Sequence, residues 1–192
     1  MKLRPLSLWA VLVGLTVSTC GAGRPELPSG ITYAVILPFG NHVSRFEEAF
    51  TIIRRLLAGE RVTFEGRFHE VHDAALYPPP LRTPKLMVGA NAPRMLSITL
   101  PHVDAWNTWF TPYGNTVEGF AKLNAGITAN VERSVCVLVD CGGSERKRDV
   151  PGVPADALGD HLRALEEAGA DEAILVLDPI TESTIRTVLP TG

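Results

Sequence analysis

The chain has 192 residues, 45% of them hydrophobic and 20% charged, with a formal net charge of −3. These values exclude a collagen-like, low-complexity or strongly charged chain and fit one globular domain with a short appendage. No basic stripe suits nucleic acid and no acidic block suits a solvating tail.

The N-terminal stretch MKLRPLSLWAVLVGLTVSTCGAG has a basic start, an apolar run from Leu6 to Val17 and small residues after it. That is the layout of a secretory signal, and the run is short for a membrane span. Val17-Ser18-Thr19-Cys20 is similar to a lipoprotein cleavage box, with Thr19 where Gly, Ala or Ser is usual. Residues 1–37 therefore read as a disordered or helical leader and linker, with one β-like run at Ile31–Leu37, and residues 38–192 as the folded part.

A helix is predicted over Arg45–Ala58, capped by Ser44 in a Ser-x-x-Glu box with Glu47 and stopped by Gly59. Phe46, Ala49, Phe50, Ile53, Leu56 and Leu57 share one face of it. The alternation of Val62 and Phe64, the Glu65-Gly66 turn and Phe68 predict a β-hairpin. The proline segment 77–84 is extended.

From there strand and helix alternate. Strands are predicted at 85–89, 102–106, 133–140 and 171–179. Helices are predicted from about Pro93, over Thr116–Thr128, over 155–169, and from a Thr181 cap through Leu189. Near-continuous apolar strands between amphipathic helices mean a parallel sheet covered by helices, in four βα units. The three cysteines are Cys20, Cys136 and Cys141. An odd number in a chain of this size argues for reduced thiols, and the spacing of the last two sends them to opposite strand faces. His69 and His72 also face opposite sides of a strand and do not form a metal site. His102 precedes a strand, where it could line a pocket, and reads first as a partly buried structural histidine. Asp104 and Asn107 flank Trp106 at a strand end, where two readings stand: contact with a ligand, or plain capping and packing. Asp140 and Asp178 also end strands, on the face where such a fold would hold a ligand, but neither is assigned a role, and Arg146-Lys147-Arg148 reads as a solvated loop cluster.

Taken in order, RFEEAFTIIRRLLAGERVTFEGRFHEV, PPPLRTPKLMVGANAPRML and HVDAWN resemble the luciferase-like monooxygenase family, as does the C-terminal AGADEAILVLDP. The family pattern is an R-x-E-E helix, a hairpin, a proline run, a V-G-G or V-G-A strand, a G-P-R-like turn and a D-G-W-N-like strand. The resemblance covers about residues 38–189 and rests on the order and spacing of the motifs, none of which is specific alone. It departs from the pattern at Pro101, which ends a helix early, and at Ala105, where the family has glycine.

The resemblance implies an oxidoreductase on a TIM (β/α)8 barrel, with FMN or the deazaflavin coenzyme F-420 as cofactor and an unidentified small-molecule substrate. It implies that Gly89, Ala90, Asn91, Ala92, Pro93 and Arg94 hold the cofactor's phosphate. Physical chemistry agrees: a glycine admits close backbone approach, Pro93 suits a first helical position, and the helix start and Arg94 favour an anion. The same turn is also a sound strand-to-helix connection without a ligand. The residues do not assign a catalytic group.

A whole barrel takes about 250 residues, and counting back from the last strand makes Lys85–Gly89 the fifth of its eight strands. The expected fold is therefore a partial barrel: about four C-terminal βα units plus a hairpin insertion. Open sheet edges predict homo-oligomers. Alternatives to working catalysis are an inactive fragment and an exported lipoprotein anchored at Cys20; the resemblance favours a cytoplasmic protein.

Overall fold

The structure, a computed structural model, describes residues 43–144 and 146–188. The leader, Cys20 and the β-like run at Ile31–Leu37 lie outside the described residues. The chain divides into two compact units, whose described parts are residues 43–105 and 106–188.

In the first unit α1 (Val43–Leu57) carries Phe46 and Phe50 one turn apart, their rings stacked with centroids 5.6 Å apart. With Met95 they form a small core, surrounded by Val43, Ala90, Ile98 and Val103. Ile52, outside the predicted face, is also buried, whereas Ile53, Leu56 and Leu57 are half-buried. The predicted Ser44 cap does not form. The helix begins at Val43, ahead of Ser44, and the Ser44 hydroxyl accepts from Arg94 instead. Gly59, at φ +82°, ends the helix.

The hairpin follows as β1 (Val62–Glu65) and β2 (Glu70–Ala74), antiparallel with Glu65 opposite Glu70. β3 (Met87–Gly89) leads into α2 (Pro93–Thr99). Pro101 has the predicted effect: α2 stops at Thr99 and Leu100–His102 turns as a 3-10 helix. The next strand therefore starts later than expected. Asp104 Oδ2 accepts from the Leu86 amide at 2.8 Å, while the Asp104 and Ala105 amides donate to the Leu86 carbonyl.

The second unit opens on β4 (Ala105–Thr108), whose Trp106 is fully buried and stacks on Phe120 at 6.3 Å. A single turn, α3 (Phe110–Tyr113), precedes α4 (Val117–Asn124), which Thr116 caps by accepting from the Gly119 amide at 3.1 Å. β5 (Glu132–Asp140) is buried on both faces from Ser134 to Val139, as a central parallel strand must be. The loop after it returns as β6 (Val153–Pro154), a two-residue parallel strand beside the end of β5. Then come α5 (Leu158–Glu167), β7 (Glu172–Asp178) and α6 (Glu182–Val188). β7 lies parallel to β5 over its whole length, from Ser134 opposite Glu172 to Asp140 opposite Asp178.

Among the described residues β3, β4 and β7 each run into helix, and β5 reaches α5 by way of the short β6. The fold is α/β with helix-covered parallel strands and a hairpin insertion, the arrangement of part of a (β/α)8 barrel.

Candidate functional site

Each unit places polar groups at the C-terminal end of a strand, where βα folds present their ligand-binding loops. In the first unit this is the β3–α2 turn. Leu86, Met87 and Val88 are buried, Gly89 and Ala90 are half-buried, and Asn91, Ala92, Pro93 and Arg94 are exposed. All six predicted residues thus fall on one short connection. Ala92 is the extended residue before α2 and has no side chain to cap it, and Pro93 takes the first helical position. The opening turn of a helix leaves N–H groups without intrahelical partners. Arg94 points back along the chain fold, donating from one terminal nitrogen to Ser44 Oγ at 3.0 Å. That contact fixes the guanidinium beside the turn and leaves its remaining N–H groups available.

In the second unit a cleft of about 320 Å³ lies at the ends of β5 and β7. Asp140, Ser144, Arg146, Arg148, Asp149 and Asp178 supply its polar lining. Asp178 is 7% exposed. Its Oδ1 accepts from Ser144 Oγ at 2.9 Å, and its Oδ2 accepts from Arg148 Nε and Nη2, each at 2.6 Å. The Arg148 hydrogen bond holds the Asp178 carboxyl below the usual aspartate range; burial opposes this and the Ser144 bond adds to it. Arg148 is therefore half-buried and paired, not part of a solvated cluster as the sequence suggests. Asp140 uses Oδ1 to accept from the Gly142 amide at 2.8 Å and is otherwise exposed to the cleft.

The far end of the cleft loop is held by Asn115, which sits at φ +58°. Its Nδ2 donates to the carbonyls of Leu138 and Pro151, and its Oδ1 accepts from the Leu138 amide. Gly152 is required by a close approach: a Cβ there would sit 2.8 Å from Asp140 Cβ. Sequence reading missed this constellation. The signals available were two aspartates ending parallel strands and an Asn after a glycine, and the second is a turn signal as much as a site signal.

Other candidates resolve as structure. Asn107 lies inside the second unit, donating to Ser134 Oγ at 3.0 Å and accepting from Cys136 Sγ at 3.5 Å. His102 is exposed rather than partly buried, tilted against Phe50 at 6.3 Å, because the 3-10 turn at Pro101 carries it to the surface. Cys136 and Cys141 are both free thiols. Burial pushes the Cys136 thiol up to about 11; the Asn107 hydrogen bond opposes this and the Glu172 carboxylate adds to it. His72 pairs with Glu70 at 2.6 Å.

The sequence profile of the luciferase-like monooxygenases matches residues 20–141. The chain belongs to this family. Among curated luciferase-like relatives it is similar to an F420-dependent glucose-6-phosphate dehydrogenase of Microbacterium testaceum, 28% identical over 185 residues. That alignment covers 88% of this chain and 51% of the relative, so the chain spans about half the length of the protein it matches. A dehydrogenase of the same description from Intrasporangium calvum is 42% identical over 89 residues, covering 45% of this chain and 27% of the relative. Among solved structures the fold is shared with an F420-dependent secondary alcohol dehydrogenase in complex with an F420-acetone adduct. The TM-score is 0.54 at 13% identity, over 77% of this chain and 62% of that one. No helix among the described residues is long and apolar enough to cross a membrane.

Proposed function

We propose that this chain is part of an oxidoreductase that binds the deazaflavin coenzyme F-420, with the Gly89–Arg94 turn holding the cofactor's phosphate. The observation that carries the reading is the β3–α2 turn itself: an uncapped helix start with Arg94 fixed beside it. The residues fit an anionic group. The helix opening offers N–H donors and the positive end of a dipole, and the guanidinium adds charge-assisted hydrogen bonds. The deazaflavin names of the curated relatives favour F-420 over FMN.

The bound deazaflavin supplies hydride transfer, and the protein's part is to bind and orient it. Gly89 and Ala90 bring the backbone of the turn close, and Ala90 packs on the Phe46–Phe50–Met95 core, which holds the turn in place. In the second unit the cleft at Asp140 and Asp178 supplies polar groups for a small-molecule substrate. A second reading is cofactor binding without turnover.

Fluorescence titration of the full chain with F-420 and with FMN tests the assignment. Saturable quenching by F-420 is expected, weakened about tenfold in Arg94→Gln, the order expected for losing a charged hydrogen bond. Absence of quenching by either cofactor overturns the reading. Quenching without oxidation of any alcohol offered selects the second reading.

A further inference from the structure

The cleft of the second unit holds two arginines, yet the two do not stand in the same state. Arg148 gives Nε and Nη2 to one carboxylate oxygen of Asp178, and Ser144 fills the other oxygen. Asp178 is buried and engaged at both oxygens, so this carboxylate is a fixed part of the cleft wall. The fork of an arginine is the group best matched to a phosphate dianion. Here that fork already faces an anion of the protein's own. Of the charged side chains on the lining, Asp140, Asp149 and Asp178 are acidic and Arg146 and Arg148 are basic. Among the described residues the wall therefore has an acidic excess even with both arginines charged.

We propose that Asp178 is a specificity-determining residue: a built-in counter-anion that occupies Arg148, so that the cleft rejects phosphate dianions and takes small hydroxyl-bearing ligands with at most one negative charge. Arg146, exposed on the same wall, meets the single anionic or hydroxyl oxygen, and Asp140 accepts a hydroxyl proton with its outer oxygen. The proposal rests on the oxidoreductase reading only in taking the cleft as the substrate's; its test does not use the cofactor.

The test is calorimetric titration of the full chain with inorganic phosphate at about pH 8, where phosphate is a dianion, at constant ionic strength. Any phosphate held at the Gly89–Arg94 turn is common to all variants and cancels in the comparison. Asp178→Asn keeps the shape and frees Arg148, and is expected to gain phosphate affinity by about tenfold or more over the wild type. Adding Arg148→Gln to that variant is expected to abolish the gain. Arg148→Gln alone is expected to bind phosphate as the wild type does, because Arg148 is not available in either. A folded Asp178→Asn chain without the gain overturns the proposal, and so does weaker phosphate binding in Arg148→Gln alone. If Asp178→Asn loses its native circular dichroism spectrum, the single Arg148→Gln variant decides the matter in the same terms.

Discussion

Each unit of the molecule has a loop fastened by a carboxylate, and the two carboxylates do the work differently. In residues 43–105, Glu48 on α1 accepts from three consecutive backbone amides of the hairpin turn: Arg67 at 2.9 Å, Phe68 at 2.9 Å and His69 at 3.0 Å. In residues 106–188, Asp178 at the end of β7 holds the β5–β6 loop through two side chains, Arg148 and Ser144. Both need a glycine at a point of close approach. A Cβ on Gly66 would overlap the Glu48 carboxylate, and one on Gly152 would press on Asp140, the in-register neighbour of Asp178. The difference lies in what the carboxylate grips. Backbone amides hold a fixed turn and leave no charged group to exchange, so Glu48 makes a purely structural nest. A side-chain cation can be released by substitution and offered to a ligand, so Asp178 makes a wall whose chemistry is adjustable.

The largest effect is expected from the group that holds the second unit's loop independently of its carboxylate. Asn115→Ala removes the bonds to Leu138 and Pro151 and places alanine at φ +58°. Destabilisation of about 3 kcal/mol or more is expected in urea denaturation, from several buried hydrogen bonds lost together plus backbone strain. A loss no larger than that of Asp178→Asn would show that the ion pair, not Asn115, carries the loop.

Next in size, Glu48→Gln is expected to loosen the hairpin turn without disturbing the second unit. The amides of Arg67, Phe68 and His69 should exchange with deuterium about tenfold faster, while those of β5 stay protected. Equal loss of protection in both units would erase the distinction drawn between them.

Acid brings the two anchors under one measurement. Glu48 is buried enough to oppose ionisation, but the three amides outweigh this and hold its carboxyl below the usual glutamate range. Asp178 is likewise lowered, chiefly by Arg148. A carboxyl lowered in the folded state contributes stability that is present above its unfolded pKa of about 4 and is lost as pH falls through the lowered value. Stability is therefore expected to hold at about pH 5 and to fall only below about pH 4. Both Glu48→Gln and Asp178→Asn should flatten that fall. About 1 M salt separates them, because the Debye length drops to about 3 Å. The Arg148 Nε–H resonance should shift with salt, while the hairpin amides do not.

The smallest effect is alkaline. The Cys136 thiol, raised to about 11 by burial, favours its protonated form in the folded chain. Its contribution is present below the ordinary thiol pKa of about 8.5 and is lost as pH rises toward the folded value. A Cys136→Ser chain should lose slightly less stability than the wild type between about pH 9 and 11.

Residue pattern alone was enough for the elements whose signal is local. The helical spacing of Phe46 and Phe50 and the stop at Gly59 gave α1 within two residues at its start. The apolar runs at Val135–Val139 and Ile174–Leu177 gave β5 and β7, and Pro101 gave the early end of α2. Turn and cap residues gave the hairpin, the Thr116 cap and the Thr181 cap, whose Oγ1 accepts from the Thr184 amide. The β3–α2 connection was legible for the same reason: its Gly, Pro and Arg act on their own stretch of backbone. Everything decided by partners far along the chain lay beyond that reading. Ser44 has a capping sequence but is bonded to Arg94, 50 positions away. Arg148 lies in a run of charges and is paired with Asp178, 30 positions on. β6 is two residues long and exists only because Asn115 and Gly152 bring that loop against β5. The sequence by itself determined the α/β alternation and the strand-to-helix turn at Gly89–Arg94, because periodicity and backbone stereochemistry act over a few residues. Only the tertiary structure decided which charges meet in the cleft, because an ion pair depends on distance through space, and composition carries no record of that.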